Sequence, residues 1–328
     1  TVYFTVKASK QVFKNPTRWI MISLVAALPQ FAFLGSYVNN DICAMLGISI
    51  VLYAWTLAIN NNWSFKNAFV LSVGMAICAM SYYNSYVWVL ASIFIYFITY
   101  FYQNKKDYKG FVRLSAFIVV VTLVLMGYLF ARHLYLYHDL LGFKVSREYA
   151  AIYADEAFKP ENRGNPSNLG YSLMYMLFDM GWLSSTYRSF IGFFGPMAYP
   201  LNNNVYRFYT LFFIVAFIGF VYFVFKLIAN AKHQKPTLDW VVFYISLAFC
   251  GVMAVGLSMY NSYFSDYQPQ GRYCFPLLPA LAIFVAKGFE TLISLIKSER
   301  AQYAAVSSIC TILFMISFSS YINVLLVS

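Results

Sequence analysis

Charged residues are scarce in this chain: Asp, Glu, Lys and Arg make up 11% of its 328 residues, whereas 61% are hydrophobic. Soluble domains carry roughly 25% charged residues and roughly 45–50% apolar ones. A water-soluble fold of this length has no interior large enough for so much apolar surface. The composition therefore excludes an ordinary soluble domain and predicts an all-α membrane protein, because helices satisfy their own backbone groups in lipid.

The sequence also lacks the common catalytic signatures. It contains no Gly-x-x-x-x-Gly-Lys phosphate loop, no G-x-G-x-x-G, no H-E-x-x-H and no G-x-S-x-G. A reaction that uses a cytoplasmic nucleotide donor is therefore disfavoured. The five cysteines form no C-x-x-C pair and lie in or beside apolar segments. They are interpreted as packing residues rather than as disulfide partners or zinc ligands: Cys43, Cys78, Cys250, Cys274 and Cys310.

Long apolar runs dominate the chain, and a helix needs about 20 apolar residues to cross the hydrocarbon core. Nine segments meet this requirement: 19–37, 42–59, 67–83, 86–102, 111–131, 208–228, 240–260, 274–296 and 303–327. The predicted fold is thus all-α and polytopic, with about nine transmembrane helices. They form an N-terminal membrane region (1–131) and a C-terminal one (208–328), separated by a loop (132–207).

The distribution of basic residues predicts the orientation, because Lys and Arg concentrate in cytoplasmic loops. The net charge is +11, but the basic residues lie in short loops between apolar runs, so no nucleic-acid partner is expected. Fifteen of the 23 basic residues fall at one set of helix ends, which is assigned to the cytoplasm: Lys7, Lys10, Lys14, Arg18, Lys66, Lys105, Lys106, Lys109, Arg113, Lys226, Lys232, Lys235, Lys287, Lys297 and Arg300. The other eight are Arg132, Lys144, Arg147, Lys159, Arg163, Arg188, Arg207 and Arg272.

The loop 132–207 is therefore predicted to lie outside the cytoplasm. Its second part, 171–194, carries apolar residues at helical spacing with Asp179 and Arg188 among them. This pattern indicates a helix in the membrane interface rather than a tenth span. Loops of such length are usually functional. Lys287 and Glu290, three apart in the eighth span, are placed on one helix face near the cytoplasmic surface and receive no catalytic role.

Asp41 is the first candidate functional residue, since it follows Asn39 and Asn40 at the predicted outer end of the 42–59 helix. Its carboxylate, with Asn40, offers hard oxygen ligands to Mg²⁺ or Mn²⁺ or an acceptor for sugar hydroxyls. The alternative is that Asp41 is the N-cap of the helix, a position that Asp fills well. From the pattern alone the two interpretations are nearly balanced, with the cap slightly favoured.

Two arginines at the same predicted surface are candidates for binding a phosphate. Arg272, beside Gln270 and Tyr273, stands at the start of the eighth span, and a planar guanidinium there can hold a phosphate by paired hydrogen bonds. The alternative is an interfacial anchor. Arg188 presents the same choice within an aromatic stretch, where an anionic lipid headgroup is the simplest partner.

Three stretches together resemble the GT-C class of integral-membrane glycosyltransferases, in particular members related to the dolichyl-phosphate-mannose and aminoarabinose transferases. They are 28–41 (LPQFAFLGSYVNND), 188–206 (RSFIGFFGPMAYPLNNNVY) and 270–279 (QGRYCFPLLP). The resemblance covers most of the chain, but each motif is short.

The resemblance implies a donor that is a sugar on a polyprenyl phosphate, and an acceptor glycan, lipid or protein outside the cytoplasm. Asp41 matches the family's acid that binds metal or substrate and is the candidate catalytic residue. Arg272, with Arg188, matches a role at the lipid phosphate, and the neighbouring Asn39, Asn40, Gln270 and Tyr273 are candidate substrate-binding residues. The family's catalytic base, in a first outer loop, has no match here, so the sequence is expected to lack an N-terminal part.

Two other function classes remain open. A transporter or lipid flippase usually places ionisable groups near the bilayer midplane, whereas here the polar groups crowd one surface. A non-catalytic membrane scaffold is the third possibility. The leading prediction is a glycosyltransferase of the cytoplasmic membrane whose active site faces outward.

Overall fold

The computed structural model describes residues 1–156, 159–162, 164–229 and 237–326. Arg163, Lys232, Lys235 and the last residue of the predicted 303–327 span lie outside these ranges. The fold is 79% helical, which confirms the predicted all-α class. The helices are α1 (Val2–Val12), α2 (Arg18–Ala27), α3 (Pro29–Leu34), α4 (Asn40–Asn61), α5 (Phe65–Ser81), α6 (Tyr86–Asn104), α7 (Tyr108–Tyr137), α8 (Phe143–Tyr153), α9 (Leu173–Phe178), α10 (Trp182–Ile191), α11 (Asn203–Ala229), α12 (Leu238–Phe264), α13 (Leu278–Ile293) and α14 (Glu299–Leu325).

Two 3-10 turns and one small hairpin complete the described fold. The turns, Tyr83–Ser85 and Gly271–Leu277, run directly into α6 and α13. The hairpin pairs strands β1 (Phe193–Phe194) and β2 (Tyr199–Pro200) in antiparallel register.

Within the described ranges, seven helical segments are long and apolar enough to cross a membrane, so the predicted count of nine is not confirmed. Two predicted spans differ. The first, 19–37, is broken into α2 and α3, because Leu28 has an extended backbone before Pro29, as expected of a residue that precedes proline. The third forms α5, whose 17 residues extend about 25 Å, less than the roughly 30 Å of the hydrocarbon core.

The loop 132–207 contains more structure than the sequence indicated. Helix α7 continues to Tyr137, six residues beyond the predicted end of the fifth span, and α8 follows it. The single interfacial helix predicted over 171–194 is instead the pair α9 and α10 followed by β1. Gly181 separates the two helices with a φ of +72°, a left-handed conformation that glycine adopts without steric cost.

The core of the bundle is apolar, and two of its buried indoles form hydrogen bonds. Trp55 and Trp88 stack with ring centroids 5.2 Å apart, and both indoles are fully buried. The indole of Trp55 donates to Ser92 Oγ over 3.1 Å, while that of Trp88 donates to the Pro276 carbonyl over 2.9 Å. The second bond ties α6 to the turn that precedes α13, so core packing helps to fix the place of this turn.

The helix ends gather polar contacts at two opposite ends of the bundle. At the first, which we call the Asp41 end (37–41, 82–86 and 261–277), the Asn84 amide donates to the Tyr273 carbonyl over 2.8 Å. At the second, which we call the Lys287 end, lie Gln103, Asp239, Lys287 and Glu290. There the Gln103 amide donates a hydrogen bond to Asp239 over 3.1 Å. Which end faces the cytoplasm stays a prediction.

Candidate functional site

Asp41 lies in the first turn of α4 and is only 8% exposed. Among the residues that the structure describes, none forms a hydrogen bond or a salt bridge with its carboxylate. A buried carboxylate without such partners is costly, and side chains of this kind occur disproportionately at functional sites. The position at a helix N-terminus offsets part of the cost, because the helix dipole favours negative charge there.

The predicted N-cap role of Asp41 is wrong, because Asn39 is the cap. The Asn39 side chain accepts a hydrogen bond from the Ile42 backbone N–H over 3.0 Å and donates to the Leu34 carbonyl over 2.7 Å. Helix α4 therefore begins at Asn40, two residues earlier than an Asp41 cap would require. Because Asn39 caps the helix, the Asp41 carboxylate is not used for capping. The same two bonds engage the Asn39 amide locally, and its predicted contact with substrate stays a prediction.

Arg272 lies in the 3-10 turn Gly271–Leu277 and is half-buried. Its Nη2 donates to the Tyr273 hydroxyl over 3.0 Å, and its guanidinium carbon lies 4.9 Å from the centroid of that ring. The Arg272 Nε is buried and has no hydrogen-bond partner in the part of the chain described. The guanidinium thus keeps donor capacity beyond the contacts that orient it.

Close packing of α10 against this turn sets the place of Arg272. A Cβ atom at Gly271 would lie 2.1 Å from the Phe190 backbone nitrogen and 2.5 Å from the Thr186 carbonyl oxygen. Only glycine fits such an approach. The Gly271 N–H donates to the Ser189 hydroxyl, which completes the contact. The outer-loop helix α10 and the start of α13 are therefore packed as one unit at the Asp41 end.

The structure brings Asp41 and Arg272 together. The two groups lie near enough for their charges to interact, and among the described residues no salt bridge joins them. Tyr82 lies beside both: burial first, and then the Asp41 charge, raises the pKa of the Tyr82 phenol far above its usual value. Opposite charges that face one another without pairing directly can each hold a different group of one ligand.

Tyr82 and Gln268 are members of this cluster that sequence reasoning did not select. The Tyr82 ring stacks on Tyr273 with centroids 6.1 Å apart and planes 20° from parallel. Gln268 accepts a hydrogen bond from the Tyr273 hydroxyl and donates to Asp266 over 2.6 Å. The tight turn 82–86 was visible in the sequence as an outer joint, but nothing there indicated that it meets residue 273.

The remaining predicted site residues are Arg188, Asn40 and Gln270, and their contacts differ from those of Asp41 and Arg272. Arg188 donates to the Asn203 side-chain oxygen over 3.4 Å and stands 4.6 Å over the Tyr206 ring. No described contact joins Arg188 to Asp41 or Arg272. Asn40 is exposed beside Asp41, and Gln270, which is half-buried, precedes the turn of Arg272. Their predicted roles at a substrate stay predictions.

The described residues do not form a metal site of their own around Asp41. No group of three or more His, Cys, Asp or Glu side chains is arranged to hold an ion in the described ranges. Asp41 supplies one carboxylate, and the nearby Arg272 charge opposes a cation at that place. Mg²⁺ and Mn²⁺ prefer several oxygen ligands. These residues therefore do not fit the predicted ion, and no chemical step is assigned to it.

Sizeable grooves lie elsewhere on the bundle. One, of about 590 Å³, runs between α12 and α13 from Met259 and Leu277 to Leu247 and Phe284, and its lining is almost entirely apolar. Another, of about 1080 Å³, lies between the hairpin and the end of α14. Neither groove is lined by Asp41 or Arg272, but the first begins at Leu277, in the same turn as Arg272.

Compared with known proteins, the chain matches no family model, no curated protein and no solved structure. The residues of the Asp41 end are therefore the basis on which a function is assigned.

Proposed function

We propose that the protein is a membrane glycosyltransferase that moves a sugar from a polyprenyl phosphate to an acceptor glycan, lipid or protein outside the cytoplasm. One observation carries this proposal: the buried, unpaired Asp41 carboxylate faces the half-buried Arg272 guanidinium at one end of a helical bundle. A donor of this class presents a phosphate and sugar hydroxyls a few ångströms apart. The Arg272 guanidinium suits the phosphate, and the Asp41 carboxylate suits the hydroxyls.

The proposed reaction is a displacement at the anomeric carbon of the sugar. An acceptor hydroxyl oxygen forms the new bond to that carbon, and the bond between the carbon and the phosphate oxygen breaks. The hydroxyl proton passes to a carboxylate, for which Asp41 is the candidate among the described residues. The polyprenyl phosphate leaves with an added negative charge, which Arg272 stabilises by charge-assisted hydrogen bonds.

The apolar groove between α12 and α13 supports a lipid-linked donor over a soluble one. It begins at Leu277, five residues after Arg272, and leads along the bundle wall to Phe284. An isoprenoid chain seated there would place its phosphate near the turn of Arg272. Burial of each CH₂ group contributes about 0.8 kcal/mol, so the chain would supply much of the binding energy.

The test is transfer of radiolabel from a polyprenyl-phosphate-sugar by the purified protein in lipid nanodiscs, with membrane glycans and lipids as acceptors. We expect labelled acceptor from the wild-type protein and none from Arg272→Ala of equal thermal stability. Equal transfer by Arg272→Ala would remove the phosphate role. Movement of intact donor across a vesicle membrane without transfer of sugar would favour the transporter or flippase alternative.

A further inference from the structure

A chain of hydrogen bonds runs from the outer loop to Arg272. Asp266 Oδ2 accepts a hydrogen bond from Gln268 Nε2 over 2.6 Å, and Gln268 Oε1 accepts one from the Tyr273 hydroxyl. The Tyr273 oxygen in turn accepts a hydrogen bond from Arg272 Nη2 over 3.0 Å. Three hydrogen bonds thus connect one acidic residue, through the Gln268 and Tyr273 side chains, with the guanidinium that faces Asp41.

The donor and acceptor groups of these side chains allow only one direction of hydrogen bonding, from Arg272 through Tyr273 and Gln268 to Asp266. A carboxylate only accepts hydrogen bonds, so Asp266 turns the Gln268 NH₂ toward itself and the Gln268 carbonyl oxygen toward Tyr273. A phenol has one hydrogen to donate, and Tyr273 donates it to that oxygen. The lone pairs of the phenol oxygen therefore face Arg272, whose guanidinium can only donate.

The backbone around these residues is also fixed. The Gln268 carbonyl accepts hydrogen bonds from Ser262 Oγ over 3.1 Å and from the Gln270 N–H over 2.8 Å. Asn84 holds the Tyr273 carbonyl, and the Tyr82 ring stacks on the Tyr273 ring. The Tyr273 side chain consequently has little freedom apart from rotation of its hydroxyl group.

We infer that Gln268 and Tyr273 are positioning residues, which hold the Arg272 guanidinium toward Asp41 and so define where an anionic group binds. The nature of that anion, a polyprenyl phosphate, rests on the proposed function. The hydrogen-bonded chain itself does not. This assigns Tyr273 a role through Arg272, where the sequence predicted a direct contact with substrate.

The first test observes Arg272 without any substrate. Guanidinium signals are recorded by NMR from protein with ¹⁵N-labelled arginine in nanodiscs, and the Arg272 signal is identified from its loss in Arg272→Lys. We expect Tyr273→Phe, which keeps the ring and removes the hydroxyl, to raise proton exchange at the Arg272 guanidinium by about tenfold, the effect of one lost hydrogen bond to a charged group. Gln268→Leu should act in the same direction.

The matched control is Tyr263→Phe. The Tyr263 hydroxyl also donates a hydrogen bond to the outer loop, at the Tyr171 carbonyl over 2.9 Å, but it takes no part in the hydrogen bonds that connect Asp266 with Arg272. Arg272 signals should not change in this variant. Unchanged signals in both Tyr273→Phe and Gln268→Leu would overturn the inference. An equal change in Tyr263→Phe would also overturn it, since that result would mean general loosening of the Asp41 end.

The second test measures binding of polyprenyl phosphate to the same nanodiscs. Tyr273→Phe and Gln268→Leu should each weaken it by about tenfold, whereas Tyr263→Phe should bind as the wild type does. Normal binding by both variants would contradict the positioning role. If the wild-type protein binds no polyprenyl phosphate while the Arg272 signals still respond to Tyr273→Phe, the positioning role stands and the proposed function fails.

Discussion

The two ends of the bundle hold opposite charges in different arrangements. At the Lys287 end, Lys287 and Glu290 form a salt bridge of 2.6 Å, and Asn15 donates a further hydrogen bond to Glu290. At the Asp41 end, Asp41 and Arg272 act on one another electrostatically without direct contact. A closed pair satisfies itself and holds helices together. An open pair is available to a ligand, and the difference suggests which end is structural and which is functional.

The neighbours of the two pairs reinforce this contrast. Lys287 lies 4.8 Å over the Phe223 ring of α11, so its charge is also engaged by an aromatic face. Lys287 and Glu290 thus lie on one helix face, as the sequence predicted. Arg272, in contrast, keeps a buried Nε without a partner among the described residues.

The largest expected effect is on stability, at the closed pair. Lys287→Met leaves the half-buried Glu290 without its charge partner, and we expect the free energy of unfolding to fall by about 3 kcal/mol, the lower end of the range for buried pairs. Thermal unfolding in detergent measures the loss. The double variant Lys287→Met/Glu290→Gln should recover part of it. A single variant as stable as the wild type would show that this pair does not hold the helices.

The open pair should respond in the opposite manner. Arg272→Ala should lower sugar transfer by about 100-fold or more, because it removes the guanidinium whose hydrogen bonds stabilise the charge that develops on the leaving phosphate. The unfolding temperature of the variant should stay near that of the wild type. The transfer assay and thermal unfolding are measured on the same preparation. A large loss of stability with normal transfer would make Arg272 the structural residue and reverse the comparison.

The contact between α10 and the turn of Arg272 can be tested with one methyl group. Gly271→Ala would collide with the Phe190 and Thr186 backbone, and overpacking of this kind costs about 1–3 kcal/mol. We expect both reduced stability and reduced polyprenyl-phosphate binding, because the turn must move. Normal values of both would show that α10 does not set the position of Arg272. Gly127→Ala is the control, since a Cβ there meets nothing within 4 Å.

The smallest expected effect separates the helix cap from the site. Asn39→Ala should lower the free energy of unfolding by about 1 kcal/mol, the usual effect of losing an N-cap. Asp41→Ala should leave stability nearly unchanged and lower transfer, because Asp41 is not the cap. Denaturant unfolding and the transfer assay measure the two. Loss of stability in Asp41→Ala, with Asn39→Ala as stable as the wild type, would restore Asp41 as the cap.

The apolar runs were sufficient to predict the helical class and most helix positions, because membrane-length helices depend mainly on local hydrophobicity. They did not predict the break at Pro29 or the shortness of α5, because both depend on how the helices pack against one another in the bundle. The pattern at 171–194 indicated helix, but Gly181 has the left-handed backbone that ends it there.

The candidate site was only partly visible in the sequence. Asp41 and Arg272 could be selected by type and place, since each is a lone charge at the end of an apolar run. Their proximity, and the parts played by Tyr82 and Gln268, depend on contacts between residues far apart in the chain. The sequence suggested Asp41 as the cap, which is wrong. Asn39 and Asp41 fit a cap equally well by type, and only the backbone geometry distinguishes them.

Asp41 and Arg272 are central to this account, which requires that they face one compartment and that the Lys287 end faces the opposite one. We would measure labelling of intact cells by a membrane-impermeant maleimide, in a Cys43→Ser background, at Val38→Cys, Ser265→Cys and Lys297→Cys, all of which are exposed positions. The account predicts that the first two are labelled from outside and that Lys297→Cys is labelled only after permeabilisation. Labelling of Val38→Cys and Ser265→Cys from different sides would contradict it.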